Sequence, residues 1–341
     1  MSSAQNAGQV PAHVQLIQIA TAYWGSQMLF TAAQLELADR LAAGARSAGD
    51  LARELDLNAP ALYRFMRSLA GMGVLTEVQP QTFALTPLGE ALKKGAPGSA
   101  RAAILVFCGM AVDLWRNMRH SLKTGESADD KVFGKPLFDY IGEHPELASL
   151  FSETMVGFHG REPAAVAAAY DFDALGSIVD VGGASGNMLA QVLRRHKKPR
   201  GVLFDLPHVV TDAPALFAAH GVADRISIES GSFFEAVPRG HDAYILSHII
   251  HDWNPEQCQT ILQNCRRAIA PNGRLLIVEM VLPAGDTPHA GKMLDMMMLV
   301  GTGGQERTAE EYRALLKKAD FRLTRVVPTA SDVSVVEAVP S

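Results

Sequence analysis

The feature that most constrains this chain is an alternation that begins at residue 177. Five short apolar runs, 177–181, 201–205, 226–229, 243–248 and 274–282, are separated by stretches of helical spacing. Runs of this length, rich in Val, Ile and Leu and bounded by Gly, Pro and Asp, read as strands. Their alternation with helices selects an α/β, doubly wound, mostly parallel sheet. Two further runs, 321–327 and 333–339, close the chain as a hairpin and bring the sheet to seven strands. Sheets of this kind bind ligands in the crevice beyond the carboxyl ends of their strands, so function is expected in the loops after those runs.

The sheet accounts for about half of 341 residues, and the remainder is long enough for a second core. Residues 47–95 suggest a winged helix. Leu51, Leu55 and Leu57 have helical spacing; a second helix over 60–71 carries Leu62, Phe65, Met66 and Leu69 on one face, and two β-like runs, 73–78 and 82–85, flank a Gln-Pro turn. A DNA reader would show a basic face, yet over 50–95 Arg53, Arg64, Arg67, Lys93 and Lys94 are matched by Asp50, Glu54, Asp56, Glu77 and Glu90. The whole chain carries a net charge of −5, which also disfavours anionic membranes. A scaffold or dimerisation module is the better reading, with a metabolite-sensing winged-helix regulator as the alternative from another class.

No Asp, Glu, Lys or Arg precedes Glu36, and the stretch 14–35 is apolar nearly all round. It lacks a basic flank and contains four glutamines, so it reads as a buried helix at a subunit interface rather than a membrane span or signal peptide. The expected organisation is a dimerisation unit over 1–100, a helical linker over 101–165 and the sheet domain over 166–341. Cys108, Cys258 and Cys265 make an odd number with no zinc-ligand spacing, as expected of reduced thiols in the cytoplasm.

The stretch IVDVGGASGNMLAQVL, 178–193, is a strand, a glycine turn and a helix start. Gly182 and Gly183 allow a sharp turn and a close ligand approach, and the helix from about Gly186 offers unpaired N–H groups. The next strand ends in Asp205, whose carboxylate can accept both hydroxyls of a ribose. The glycine spacing is not that of a dinucleotide turn, and Asp180 would repel a pyrophosphate. An acid there suits a ligand with a cationic amino group, and S-adenosylmethionine has one beside its adenosine.

With VDVGGASG, FDLPHVV, GSFFEAVP, HDWNPEQC, GRLLIVEMVLP and GGQERTAEEY in this order, the chain resembles the S-adenosylmethionine-dependent small-molecule O-methyltransferases along its full length. That family includes the plant caffeate and hydroxyindole enzymes and bacterial tailoring enzymes. The resemblance implies a Rossmann-like catalytic sheet, a winged-helix homodimerisation domain, S-adenosylhomocysteine as product, and a linker that contributes to the acceptor pocket. It also implies that Asp180, Gly182 and Gly183 lie along the cofactor's amino-acid portion and that Asp205 and Leu206 lie at its ribose end. Phe233 and Trp253 would flank the adenine, and Ser232 and Ser247 stand where the family often has an aspartate and a lysine. Ala184 stands where it often has a third glycine. By the same resemblance, His251 is the general base with Glu279 and Glu306 beside it, and Met155 and Met298 sandwich an aromatic acceptor. Phe158, His159 and Asp252 are further acceptor-site candidates, and no residues show metal-ligand spacing.

The residues support part of this independently. Asn254, Pro255 and Gln257 spell a helix start, which leaves His251 in the loop between the fourth strand and that helix. A phenol has a pKa of about 10, so a neutral imidazole that takes its proton during attack is typically worth about 10²–10⁴-fold. The expected function is methyl transfer to a hydroxyl of a small aromatic acceptor without a metal. Methylation of nitrogen, or a hydroxylase or decarboxylase on the same fold, is the alternative.

Overall fold

The computed structural model describes residues 10–341, so the first nine residues of the expected dimerisation unit lie outside it. The chain forms two compact units. One takes in the described residues up to Asp113 with Ile141–Phe158, and the other Leu114–Tyr140 with His159–Ser341.

In the first unit, capped helices alternate with a small sheet. The Ser47 hydroxyl accepts from the Asp50 amide to start Ala48–Glu54, and Asn58 does the same for Ala59–Gly71. Strands Leu75–Gln79 and Thr82–Leu85 pair antiparallel, and Arg46–Ser47 adds a third strand beside Thr82–Leu85, completing a winged helix. Leu51, Leu62, Met66 and Leu69 close on Phe83 in one core, while Phe65 is only half-buried. Leu57 departs from the expected helical face and is exposed, because the first helix ends at Glu54 and Leu57 belongs to the turn before the Asn58 cap.

The apolar N-terminal stretch is also not a single helix. It divides at Ala22 into Ala12–Thr21 and Tyr23–Gln34, and Leu16, Ile17, Ile19, Tyr23 and Trp24 are each more than half exposed in the single chain. No described helix is long and apolar enough to cross a membrane.

The second unit is built on seven strands: β1 Ser177–Val181, β2 Arg200–Asp205, β3 Ile226–Ser230, β4 Ala243–Ser247, β5 Arg274–Glu279, β6 Phe321–Pro328 and β7 Ser334–Pro340. Their order across the sheet is β6-β7-β5-β4-β1-β2-β3. β1 to β5 pair in parallel, and β7 runs antiparallel between β5 and β6. The chain lays down β1, β2 and β3 outward on one side and then crosses to β4 on the other. The β1–β4 boundary is therefore the switch point at which such sheets bind ligands.

Both faces are covered, which is why the strands read as continuous apolar runs. Val179, Val181, Tyr244 and Leu246 face one cluster, whereas Ile178, Leu203, Ile245 and Leu276 face the other. The expected strand 274–282 stops at Glu279. The chain then leaves the sheet, and Val281–Leu282 pairs in parallel with Arg307–Thr308 as a separate ladder. Leu246 is fully buried in the central strand β4, so Leu246→Ala is expected to cost about 2–5 kcal/mol through the cavity it leaves. Urea unfolding followed by circular dichroism measures this loss.

Candidate active site

The turn after β1 carries Asp180 and the two glycines, but the glycines have packing reasons as well as a ligand-approach reason. Gly182 has φ +69°, and a Cβ there would come within 2.5 Å of Ile249 Cδ1. A Cβ on Gly183 would meet the Asp180 carboxyl and Leu203 Cδ1, each at 2.6 Å. Ala184 follows at φ +48°, which explains in physical terms why a glycine is at home in that position.

Asp180 is fully buried, and neither carboxylate oxygen has a hydrogen-bond partner among the described residues. Burial drives its pKa up to about 7, against the pull of the Leu189 amide and with help from the Asp205 charge. Asp205 ends β2. Its Oδ2 accepts from the Ala184 amide at 2.9 Å and its Oδ1 from the Leu206 amide at 2.7 Å. The β1 turn and the β2 end are thus tied together by one carboxylate, and Leu206 is exposed beside it.

His251 sits in a single 3-10 turn, Ile250–Asp252, after β4. The helix behind it, Pro255–Ala268, starts with a full capping box between Asn254 and Gln257. The side chain is buried, and Nδ1 lies 2.5 Å from Glu306 Oε1, while Nε2 lies 3.6 Å from Asp252 Oδ1. Glu279 touches the residue differently: its Oε1 accepts the His251 backbone N–H at 3.0 Å, and its Oε2 accepts the Tyr312 hydroxyl.

The departure of the chain from the sheet after Glu279 brings these acids together. The ladder Val281↔Arg307 brings Glu279, two residues before one strand, and Glu306, just before the other, beside the same turn. The Gln305 amide donates to the His251 carbonyl at 2.8 Å, and a Cβ on Gly304 would lie 1.9 Å from that oxygen, so only glycine fits there. Arg307 donates to the Ile250 carbonyl and Cys258 Sγ to the Ile250 and Trp253 carbonyls, which fixes the turn from behind.

The electrostatics follow from this packing. Burial alone would lower the pKa of His251. The charge of Asp252, the Glu306 hydrogen bond and the charge of Glu279 outweigh it and push the pKa up to about 10. Burial raises the pKa of Glu279 and of Asp252. A proton entering this cluster is therefore best held on the imidazole.

The aromatic candidates are in mutual contact. Phe233 and Trp253 meet edge to face at 5.9 Å between ring centroids, with Phe234 against both and Phe138 at 5.8 Å from Trp253. The Ser232 hydroxyl accepts from the Phe234 amide, and Ser247 is the last residue of β4. Met298 lies half-buried on Gly291–Gly301. Met155 and Phe158 lie on Pro145–Phe158 of the other unit, where Phe158 packs on Phe107.

Several residues of the second unit escaped the sequence reading. Tyr312 and Arg307 support the base, and Asp295 accepts the Glu306 amide at 2.9 Å. His159 contacts Glu162 and His248, neither of which was singled out. The available signals were a second histidine three residues before His251 and an acid one helical turn after His159.

Replacing Glu306 with Gln removes one negative charge from the imidazolium's hydrogen bond. Glu306→Gln is therefore expected to lower the His251 pKa by about one to three pH units, as an opposite charge within about 4–6 Å does. Titration of the His251 ring resonances by NMR measures the change.

Residues 115–322 match the profile of the O-methyltransferase domain, and residues 17–95 match that of the O-methyltransferase dimerisation domain. The regulator reading of the winged helix gives way to that second match. A phenazine O-methyltransferase from Lysobacter antibioticus is 42% identical over 340 residues, covering 100% of both chains. The crystal structure of LaPhzM superposes with a TM-score of 0.91 at 42% identity, over 97% of this chain and 100% of that one. The O-methyltransferase NcsB1 from neocarzinostatin biosynthesis, in complex with S-adenosylmethionine and 2-hydroxy-5-methyl naphthoic acid, gives a TM-score of 0.82 at 31% identity, over 93% of this chain and 96% of that one. The chain belongs to the S-adenosylmethionine-dependent O-methyltransferase family, with its dimerisation domain ahead of its catalytic domain.

Proposed function

We propose that the enzyme methylates a hydroxyl of a small, flat aromatic acceptor, with His251 as general base and no metal in the chemistry. The observation that carries this reading is the imidazole of His251, buried at the carboxyl end of β4 with its Nδ1 held by Glu306. S-adenosylmethionine, when bound, supplies a methyl group on a sulfonium that is already a good leaving group, so no Lewis acid has to activate it.

The residues present suit that cofactor. Neither oxygen of the buried Asp180 carboxyl has a hydrogen-bond partner among the described residues, which suits the ligand's ammonium group. Asp205 is fixed by two backbone amides and has lone pairs left for the ribose hydroxyls. Gly182 and Gly183 line the amino-acid portion of the site, and Leu206 packs at its ribose end. Phe233 and Trp253, whose rings meet edge to face, would hold the adenine, with Ser232 and Ser247 as polar neighbours.

His251 performs one task. Glu306 holds the proton on Nδ1. Once the ring is in its neutral form, increasingly populated as pH rises toward the raised pKa, the Nε2 lone pair accepts the acceptor's hydroxyl proton as the oxygen attacks. Asp252 and Glu279 stabilise the imidazolium that results. Holding the oxygen in line with the methyl group is the other large contribution, for which Met298 and His159 are the proposed ring contacts in this unit. Thioethers suit such rings because they are polarizable and adaptable.

His251→Ala is expected to lower turnover at least tenfold with S-adenosylhomocysteine affinity within about a factor of two. Turnover equal to the wild type would remove the base assignment. Asp205→Ala is expected to abolish S-adenosylhomocysteine binding in calorimetry.

The enzyme works as a homodimer through its N-terminal unit, since an exposed apolar patch of this kind marks an interface. Replacing Leu16 and Ile19 together with Asp is expected to give a monomer in analytical ultracentrifugation, where the wild type sediments as a dimer. The three cysteines are free, which fits residence in the reducing cytoplasm.

A further inference from the structure

Beside the base stands a second cluster of titratable groups, of which His159 alone is also among the acceptor contacts proposed above. Glu162, in the first turn of the helix Glu162–Ala169, is buried, and its Oε2 lies 2.9 Å from His159 Nδ1 and 2.7 Å from His248 Nε2. The two imidazole rings lie 3.8 Å apart between centroids, and one donor atom from each of the three residues falls within 4.8 Å of the others. His248 follows β4 with φ +54°, an uncommon backbone for a residue with a side chain, which keeps its ring beside Glu162.

We propose that His159, Glu162 and His248 form a site for one divalent transition-metal ion of the Zn²⁺ or Co²⁺ type. Two imidazoles and one carboxylate are the donor set of open, three-ligand metal sites, in which remaining positions are left to water or another ligand. Bonds of about 2.1 Å place tetrahedral donor atoms about 3.4 Å apart, so each contact opens by about half an ångström as the cation replaces the shared proton.

Nδ1 of His248 has no partner among the described residues, so no second contact pins the ring to one tautomer and Nε2 can turn its lone pair to a cation.

A second cluster in the same unit shows what a committed arrangement looks like. His196 has Nε2 on the Ala167 carbonyl and Nδ1 on Asp173, whose other oxygen accepts the Lys197 and Lys198 amides. Both ring nitrogens of His196 are thus engaged.

The His248 ring lies 5.1 Å from the His251 ring between centroids. A dication bound there opposes formation of the His251 imidazolium, so occupancy is expected to inhibit methyl transfer. This consequence rests on the base assignment; the binding does not.

The test is a Co²⁺ titration of the untagged full-length enzyme, followed by the visible d–d absorption and repeated as a Zn²⁺ competition. One Co²⁺ per chain, displaced by Zn²⁺ and weakened at least tenfold by Glu162→Gln and by His248→Ala, is the expected result. S-adenosylhomocysteine binding by Glu162→Gln verifies that the variant is folded, and His159→Gln replaces it if it is not. Absence of a one-to-one absorption, or equal affinity in wild type and folded variants, would overturn the site and leave a hydrogen-bonded trio that only holds the loop. If binding holds, Zn²⁺ is expected to inhibit the wild type at least tenfold more strongly than Glu162→Gln, with activity restored by a chelator. Equal inhibition of the two would overturn the coupling to His251 while leaving the metal site standing.

Discussion

The contact on which the rest of the site depends is the 2.5 Å pairing of His251 Nδ1 with Glu306 Oε1, made out of reach of bulk water. An isolated buried imidazole would be a poor base, because burial disfavours its charged form. Three carboxylates around it reverse the sign, and they in turn depend on a positive neighbour to be tolerated at this depth. Neither side of the pairing is stable alone in that position. Most of the surrounding architecture serves to keep the two together.

That architecture is specific. Glu279 is the last residue of β5, and Glu306 immediately precedes the short strand that pairs with Val281–Leu282. The main chain of Gly304 comes so close to the His251 carbonyl that no side chain fits, which locks the loop carrying Glu306 onto the turn carrying His251. Tyr312 donates to the far oxygen of Glu279 and Arg307 to the Ile250 carbonyl, while the far oxygen of Glu306 has no partner among the described residues. A hydrogen-bonded network of this kind is worth more intact than its parts suggest, and removing one member leaves others buried without partners.

The strands were legible in the sequence because a doubly covered parallel sheet needs continuous apolar runs, and 177–181 coincides with Ser177–Val181 residue for residue. The capping box at Asn254 was legible for the same local reason, since its chemistry is complete within four residues. The run 274–282 misled because its apolar pattern continues past Glu279, while the partner strand on the β4 side ends at Ser247. Pairing range is a property of the neighbour and does not show in the run itself. Leu57 misled likewise, since helical spacing carries no mark of where a helix stops.

For the site, the residue types were readable and the distances were not. His251, Glu279 and Glu306 are 28 and 55 residues apart in the chain from the base, and only the short ladder after β5 makes them neighbours. His248 and Glu162, 86 residues apart, left no local trace of their contact. The most direct test of the central claim is the dependence of kcat/KM on pH for one phenolic acceptor, in wild type and Glu306→Gln, between about pH 6 and pH 10. The account predicts an ascending alkaline limb that Glu306→Gln moves to lower pH, because the acceptor's own ionisation is the same in both and only His251 has changed. Superimposable limbs in the two enzymes would contradict it.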